Sequence, residues 1–129
     1  MRDYIFRGKR VDNGEWVEGD LRTTNGMSPY QTNIVTYTNE RYNPVVPESV
    51  GQYTGMKDKN GRKIFEGDIL EFADRLVSVF WHAHLGCWDS NFLKYTNQNN
   101  DRDDMSPCRW EYRAEVVGTV FENADLLEG

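Results

Sequence analysis

Short runs of β-branched and aromatic residues alternate along the chain with polar turn sequences. Residues 4–11 and 15–22 flank Asn13-Gly14, and an Asn-Gly pair readily adopts the positive φ angles of a tight hairpin turn. A second pair, Asn60-Gly61, follows another such run at residues 50–55. The pattern therefore predicts two β-hairpins, one near the start of the chain and one near its middle.

Residues 76–85 alternate strictly, which is typical of a strand with one buried face. Leu76, Ser78, Phe80, His82 and His84 fall on one face. The other face is predicted to point into the core, and it carries Val77, Val79, Trp81, Ala83 and Leu85.

Further strands are predicted at residues 33–38, 109–113 and 115–121, with a bulge or tight corner at Gly118. Residues 97–104 are too polar to pack, so they predict a loop. Short strands with turn signals every ~8–12 residues are typical of sandwiches and small barrels.

We therefore predict a mainly β fold in a single domain over residues 1–129. Residues 47–126 are expected to form an SH3-type small β-barrel. An N-terminal β-hairpin extension and an extended segment are expected within residues 1–46.

Composition narrows the class of protein further. The chain has 129 residues with 38% hydrophobic residues, enough for one core and too few for a membrane span. Its net charge of −6 has the wrong sign for a protein that holds nucleic acid mainly through phosphates. Only two cysteines are present and the start of the chain lacks an apolar run, which predicts reduced thiols in the cytoplasm.

The sharpest chemical hypothesis is a metal site at His82 and His84. On a strand these side chains would share a face about 7 Å apart, and Cys87 or Asp89 could complete the site. The alternative is a pair of surface histidines. Common phosphate-binding and hydrolytic motifs are absent from the sequence, so we predict a protein that is not an enzyme and needs no cofactor.

Two clusters of cations suggest a basic face on an otherwise acidic protein. In the second hairpin they are Lys57, Lys59, Arg62 and Lys63. In the first hairpin they are Arg2, Arg7, Lys9 and Arg10. Nucleic acid is one possible ligand for them, and the alternative is that charged hairpin tips keep the strands soluble.

Four aromatic residues leave two interpretations open. They are Tyr53, Trp81, Trp88 and Trp110. An aromatic groove would bind a peptide, whereas a small core would bury these rings. For Trp81 the alternation favours the core.

The motif around the second hairpin resembles the YopX family of phage and prophage proteins. The shared stretches are VGQYTGMKDKNG at residues 50–61 and IFEGDI at residues 64–69. The opening YIFRG at residues 4–8 and the closing VGTVFEN at residues 117–123 are similar to that family as well. The resemblance implies an SH3-type barrel, a phage or prophage origin and residence in the bacterial cytoplasm, and it carries over no catalytic residues.

Together these features predict a non-enzymatic accessory protein that binds a protein partner or associates with itself. Exposed strand edges favour a homo-oligomer. Nucleic-acid binding through the basic hairpins is the alternative function, although the net charge disfavours it. No membrane partner is expected.

Overall fold

A computed structural model describes residues 5–23, 32–36, 41–72, 74–96 and 107–123. The chain divides between Tyr53 and Thr54 into two compact units. Within the described ranges, no helix has both the length and the apolar character that a membrane crossing requires.

Ten strands and three short helical segments make up the described fold. The strands are β1 Phe6–Lys9, β2 Trp16–Thr23, β3 Thr32–Val35, β4 Tyr42–Pro44, β5 Gly51–Lys57, β6 Lys63–Phe65, β7 Asp68–Phe72, β8 Arg75–His82, β9 Cys87–Tyr95 and β10 Glu115–Thr119. The helical segments are the 3₁₀ helices Pro47–Ser49 and Pro107–Arg109 and the single-turn helix α1 Trp110–Arg113. The strands form a six-stranded sheet in the order β4-β3-β2-β1-β5-β6 and a four-stranded sheet in the order β10-β7-β8-β9.

The first unit contains the predicted N-terminal hairpin. Strands β1 and β2 pair antiparallel, and Gly14 has a φ of +73° in the turn between them. Strand β3 then adds to β2, and β4 adds to β3. Ile34 on β3 is fully buried in this unit, as a β-branched residue at the centre of a sheet should be.

Gly19 on β2 allows a close approach of the main chain. A β-carbon at this position would overlap the main-chain carbonyl of Val35. We expect Gly19→Ala to lower the free energy of unfolding by about 1–3 kcal/mol, because the strands would have to separate. Urea unfolding of this variant beside Thr23→Ala, an exposed change on the same strand, provides the measurement. Equal stability of the two variants would contradict the overlap.

The second unit has its own hydrophobic core, formed mainly by the inner face of the four-stranded sheet. Strand β10 pairs with β7 with a register shift between Val116 and Gly118, so the bulge predicted at Gly118 is confirmed. The turn predicted at Asn60-Gly61 is also present, and Gly61 has a φ of +79°. The core cluster contains Ile64, Leu70, Phe72, Val77, Val79, Trp88, Trp110, Ala114 and Val116.

The strand predicted at residues 109–113 is wrong. This segment forms the end of a 3₁₀ helix followed by α1. Trp110 and Ala114 are both fully buried and lie four residues apart, which is a helical spacing, and the Ala114 N–H donates to the Trp110 carbonyl at 3.0 Å. The intervening residues 111–113 are exposed.

The prediction for residues 76–85 is correct only for the first half of the segment. Val77 and Val79 are buried, but β8 ends at His82, and residues 83–86 form a turn that brings the chain back into β9. Ala83 and Leu85 are exposed in this turn, and Trp81 is exposed as well, although its cross-strand partner Trp88 belongs to the core cluster. The assignment of Trp81 to the core is therefore wrong.

The mainly β prediction is confirmed by the two antiparallel sheets. Across the described strands no closed barrel is detected, since each sheet ends in two edge strands. The polar loop predicted at residues 97–104 lies outside the described residues.

Candidate functional site

Exposed apolar side chains concentrate on the β8–β9 hairpin. Trp81 is 40% exposed, Phe92 55% and Tyr95 49%, and Leu85 in the turn is 68% exposed. Directly opposite residues of paired strands share a face, and the pairs here are Trp81 with Trp88, Val77 with Phe92, and Arg75 with Tyr95. Trp81, Phe92 and Tyr95 therefore share one face of the hairpin, which we call the aromatic surface.

Ring contacts hold the aromatic surface in place. The Phe92 and Tyr95 ring centroids lie 4.8 Å apart, and the Arg75 guanidinium lies 5.8 Å from the centroid of the Tyr95 ring. Trp81 meets the buried Trp88 edge to face at 5.1 Å. The surface is thus a continuation of the core packing into solvent, and its rings contact one another, Arg75 or Trp88 within the chain.

The two histidines do not share a strand face, and that part of the metal hypothesis is wrong. His82 ends β8, whereas His84 lies in the turn, with 6.3 Å between the ring centroids. His82 Nδ1 accepts a hydrogen bond from the Leu85 N–H at 3.2 Å, and Cys87 is exposed with a free thiol. Among the residues that the structure describes, no three His, Cys, Asp or Glu side chains form a group that could hold a metal ion. Metal binding by His82, His84 and Cys87 stays a prediction.

The cations of the second hairpin flank a buried carboxylate in the sequence. Lys57, Lys59 and Arg62 are exposed and Lys63 is half-buried. Asp58, which lies among them in sequence, is 2% exposed. The turn thus directs its one carboxylate inward and leaves the positive side chains at its surface.

Both carboxylate oxygens of Asp58 accept hydrogen bonds from main-chain N–H groups. Its Oδ1 accepts from the Asn60 and Arg62 N–H groups at 2.9 Å, and its Oδ2 accepts from the Val116 N–H at 3.0 Å. The sequence predicts the turn but not this role of Asp58. The sequence signal for this role is the position of Asp58 two residues before Asn60. An aspartate side chain often accepts a hydrogen bond from the N–H two residues further along its own turn.

Two cations of the first hairpin, Arg7 and Arg10, are engaged within the first unit, whereas Arg2 lies outside the described residues. Arg7 is buried, with its guanidinium 4.8 Å from the Trp16 ring centroid. Arg10 makes two hydrogen bonds to Asp12, at 3.0 and 2.7 Å. These bonds hold the pKa of the Asp12 carboxyl below its ordinary value. The first hairpin is therefore a poorer candidate for a basic ligand surface than the second.

These observations define a small, mainly β protein with an ordered aromatic surface and a basic hairpin. The family model described as YopX protein matches residues 5–128, so the chain belongs to the YopX family. No curated protein matches the chain. The crystal structure of protein EF1440 from Enterococcus faecalis is similar, with a TM-score of 0.57 and 22% identity over 98% of this chain and 99% of that one. That likeness is one of fold.

Proposed function

We propose that this chain is a non-enzymatic accessory protein of a phage or prophage that binds a protein partner or a second copy of itself through the aromatic surface. Membership of the YopX family supports the phage origin and, with it, residence in the cytoplasm of the bacterial host. The SH3-type barrel implied by the family resemblance is part of this proposal and goes beyond the two open sheets described above.

The observation that carries the proposal is the exposure of Trp81, Phe92 and Tyr95 on one ordered face. Aromatic side chains are enriched at the centres of protein interfaces, where a few of them supply most of the binding energy. Because these rings already pack against one another or against Trp88, a partner would lose little side-chain freedom on binding them.

The proposal predicts that Phe92→Lys abolishes partner binding without unfolding the protein. The ring is more than half exposed, so a lysine costs little stability while it places a charge in the contact. Tagged protein would be captured from phage-bearing cells with and without nuclease, and the bound proteins identified by mass spectrometry.

Tyr112→Lys is the matched control, because Tyr112 is an exposed aromatic residue on α1 and is not part of the β8–β9 hairpin. A nuclease-resistant partner, or untagged copies of the chain itself, should be retained by the wild type and the control and lost by Phe92→Lys. Equal retention by all three proteins would exclude the aromatic surface as the binding site.

Nucleic-acid binding is a second candidate function, favoured by the inward-facing carboxylate of Asp58. The second hairpin then presents Lys57 and Arg62 to solvent with no exposed acidic side chain in the turn, whereas Lys59 lies 3.8 Å from Glu115. The double variant Lys59→Glu with Arg62→Glu should weaken salt-dependent binding of DNA or RNA by at least about tenfold. No binding by the wild type at low salt would reject this function.

A further inference from the structure

Strand β9 differs from the other three sheet edges. Edge strand β4 has three residues and ends at Pro44, β6 has three residues, and β10 is interrupted by its bulge. Natural proteins protect edges with such short, bulged or proline-containing strands. Strand β9 has nine residues with no proline or glycine, and among the described strands only β8 pairs with it. Its own register shift lies at Leu93, near the end of the strand, so residues 87–92 form an uninterrupted edge.

The main chain of β9 presents hydrogen-bonding groups to its open side. The Val79 carbonyl accepts from the Gly67 N–H at 3.0 Å, so the polar main-chain groups of Val79 face away from β9. Val79 and Ser90 are therefore a non-hydrogen-bonded pair, and the N–H of Ser90 points to the open side. There it donates to Oδ1 of Asp89 at 2.8 Å, which leaves the Ser90 carbonyl facing outward.

The side chains of β9 are complementary to those of a second, antiparallel β9. Asn91 pairs with Ser78, while Asp89 pairs with Phe80 and Lys94 pairs with Leu76, two positions to either side. The register shift leaves Leu93 without a partner residue on β8. As a result, Lys94 lies on the same face of the sheet as Asp89. A two-fold axis at Asn91 would therefore place each Asp89 opposite Lys94 of the second copy.

The same two-fold axis also pairs aromatic side chains on the other face of the sheet. Trp88 and Tyr95 pair with Trp81 and Arg75, each three positions from Ser78. Trp88 of one copy would thus lie opposite Tyr95 of the other. The main-chain hydrogen bonds fit the same axis. Ser90 and Phe92 both direct their N–H and C=O groups away from β8, and Ser90 of one copy would lie opposite Phe92 of the other.

We infer that β9 is a self-association edge, at which two copies of this chain join their four-stranded sheets into one eight-stranded antiparallel sheet about a two-fold axis at Asn91. The inference rests on the proposed function and names a second copy as the occupant. Asp89 acts as a removable cover: it accepts the Ser90 N–H in the free chain and releases it on pairing. The Ser90 N–H then donates to the Phe92 carbonyl of the second copy, and Asp89 pairs with Lys94.

Charge reversal tests this register. Sedimentation equilibrium of the full chain should give a dimer, and either Asp89→Lys or Lys94→Glu should raise the dimer dissociation constant by at least about tenfold, because two like-charge pairs form. The double variant Asp89→Lys with Lys94→Glu should return the constant to near the wild-type value. Glu48→Lys, an exposed change on the first 3₁₀ helix, is the charge-matched control.

Two further variants test the edge independently of charge. Ser90→Pro should give a monomer that remains folded by circular dichroism, since no β8 hydrogen bond is lost and the proline ring blocks the open side. In a background with both native cysteines replaced, Cys87→Ser with Cys108→Ser, Asn91→Cys should form a disulfide between copies, because non-hydrogen-bonded partners have Cα atoms only ~4.5 Å apart. Ser90→Cys in the same background should not, since two copies of Ser90 are not opposite each other.

A monomeric wild type at all concentrations would overturn the inference but not the proposed function, if a different protein is still captured through the aromatic surface. A dimer that survives both Ser90→Pro and Asp89→Lys would place the interface elsewhere and also overturn it. Capture of untagged copies of the chain alone, together with an intact β9 dimer, would support the inference and limit the function to self-association.

Discussion

Asp58→Ala is expected to lower the free energy of unfolding by at least about 3 kcal/mol, because it removes the acceptor of three main-chain N–H groups at once. The Val116 N–H is buried where water cannot replace the carboxylate, so its loss dominates the cost. A change of this size is a large fraction of the stability of a small protein. Urea unfolding followed by tryptophan fluorescence provides the measurement.

Asp58→Asn separates the contributions of the two oxygens. An amide keeps one acceptor oxygen and replaces the other with a donor, so we expect a loss of about 1–3 kcal/mol. Asp12→Ala is the control, since Asp12 is exposed and its pair with Arg10 is a surface one. If Asp58→Ala were no more harmful than Asp12→Ala, the carboxylate would not be what holds the turn.

Trp110→Ala is the second large effect, with an expected loss of about 3–5 kcal/mol of unfolding free energy. Trp110 is completely buried and belongs to the core cluster of the second unit, so the truncation leaves a cavity lined by rigid strands. Thermal and urea unfolding of the second unit should both shift to milder conditions.

Tyr112→Ala on the same helical turn is the matched control. Its ring is 77% exposed, and we expect its loss to change stability by no more than about 0.5 kcal/mol. Similar effects of the two substitutions would mean that α1 is not held against the core through Trp110. Trp110→Phe should lie between the two, because a smaller ring refills part of the space.

The parts of the fold that the sequence predicts best are those with local causes. Asn13-Gly14 and Asn60-Gly61 predict their hairpins because the turn conformation depends on the two residues themselves. The bulge at Gly118 is also predicted from a local feature, a glycine inside a strand pattern. Val77 and Val79 are identified as core residues because alternation on a central strand reports burial directly.

Features with tertiary causes were not predictable in this way. Alternation places Trp81 on the same face as Val77 and Val79, but its ring is 40% exposed while the opposite Trp88 is buried, a difference that alternation does not predict. The burial of Trp110 and Ala114 depends on a single helical turn, too short for a periodic signal. The cations in the sequence indicate the basic hairpin, whereas the aromatic surface follows only from the pairing of β8 with β9.

The hydrogen bond from Val116 to Asp58 also bears on how the second unit folds. It joins positions 58 residues apart, so the turn at Asp58 is synthesised well before the amide that satisfies its second carboxylate oxygen. Contacts of such separation close late and slow folding. On the ribosome, the β5–β6 turn would remain incomplete until β10 emerges, and in hydrogen exchange the amides of Arg62 and Val116 should open together as one cooperative group.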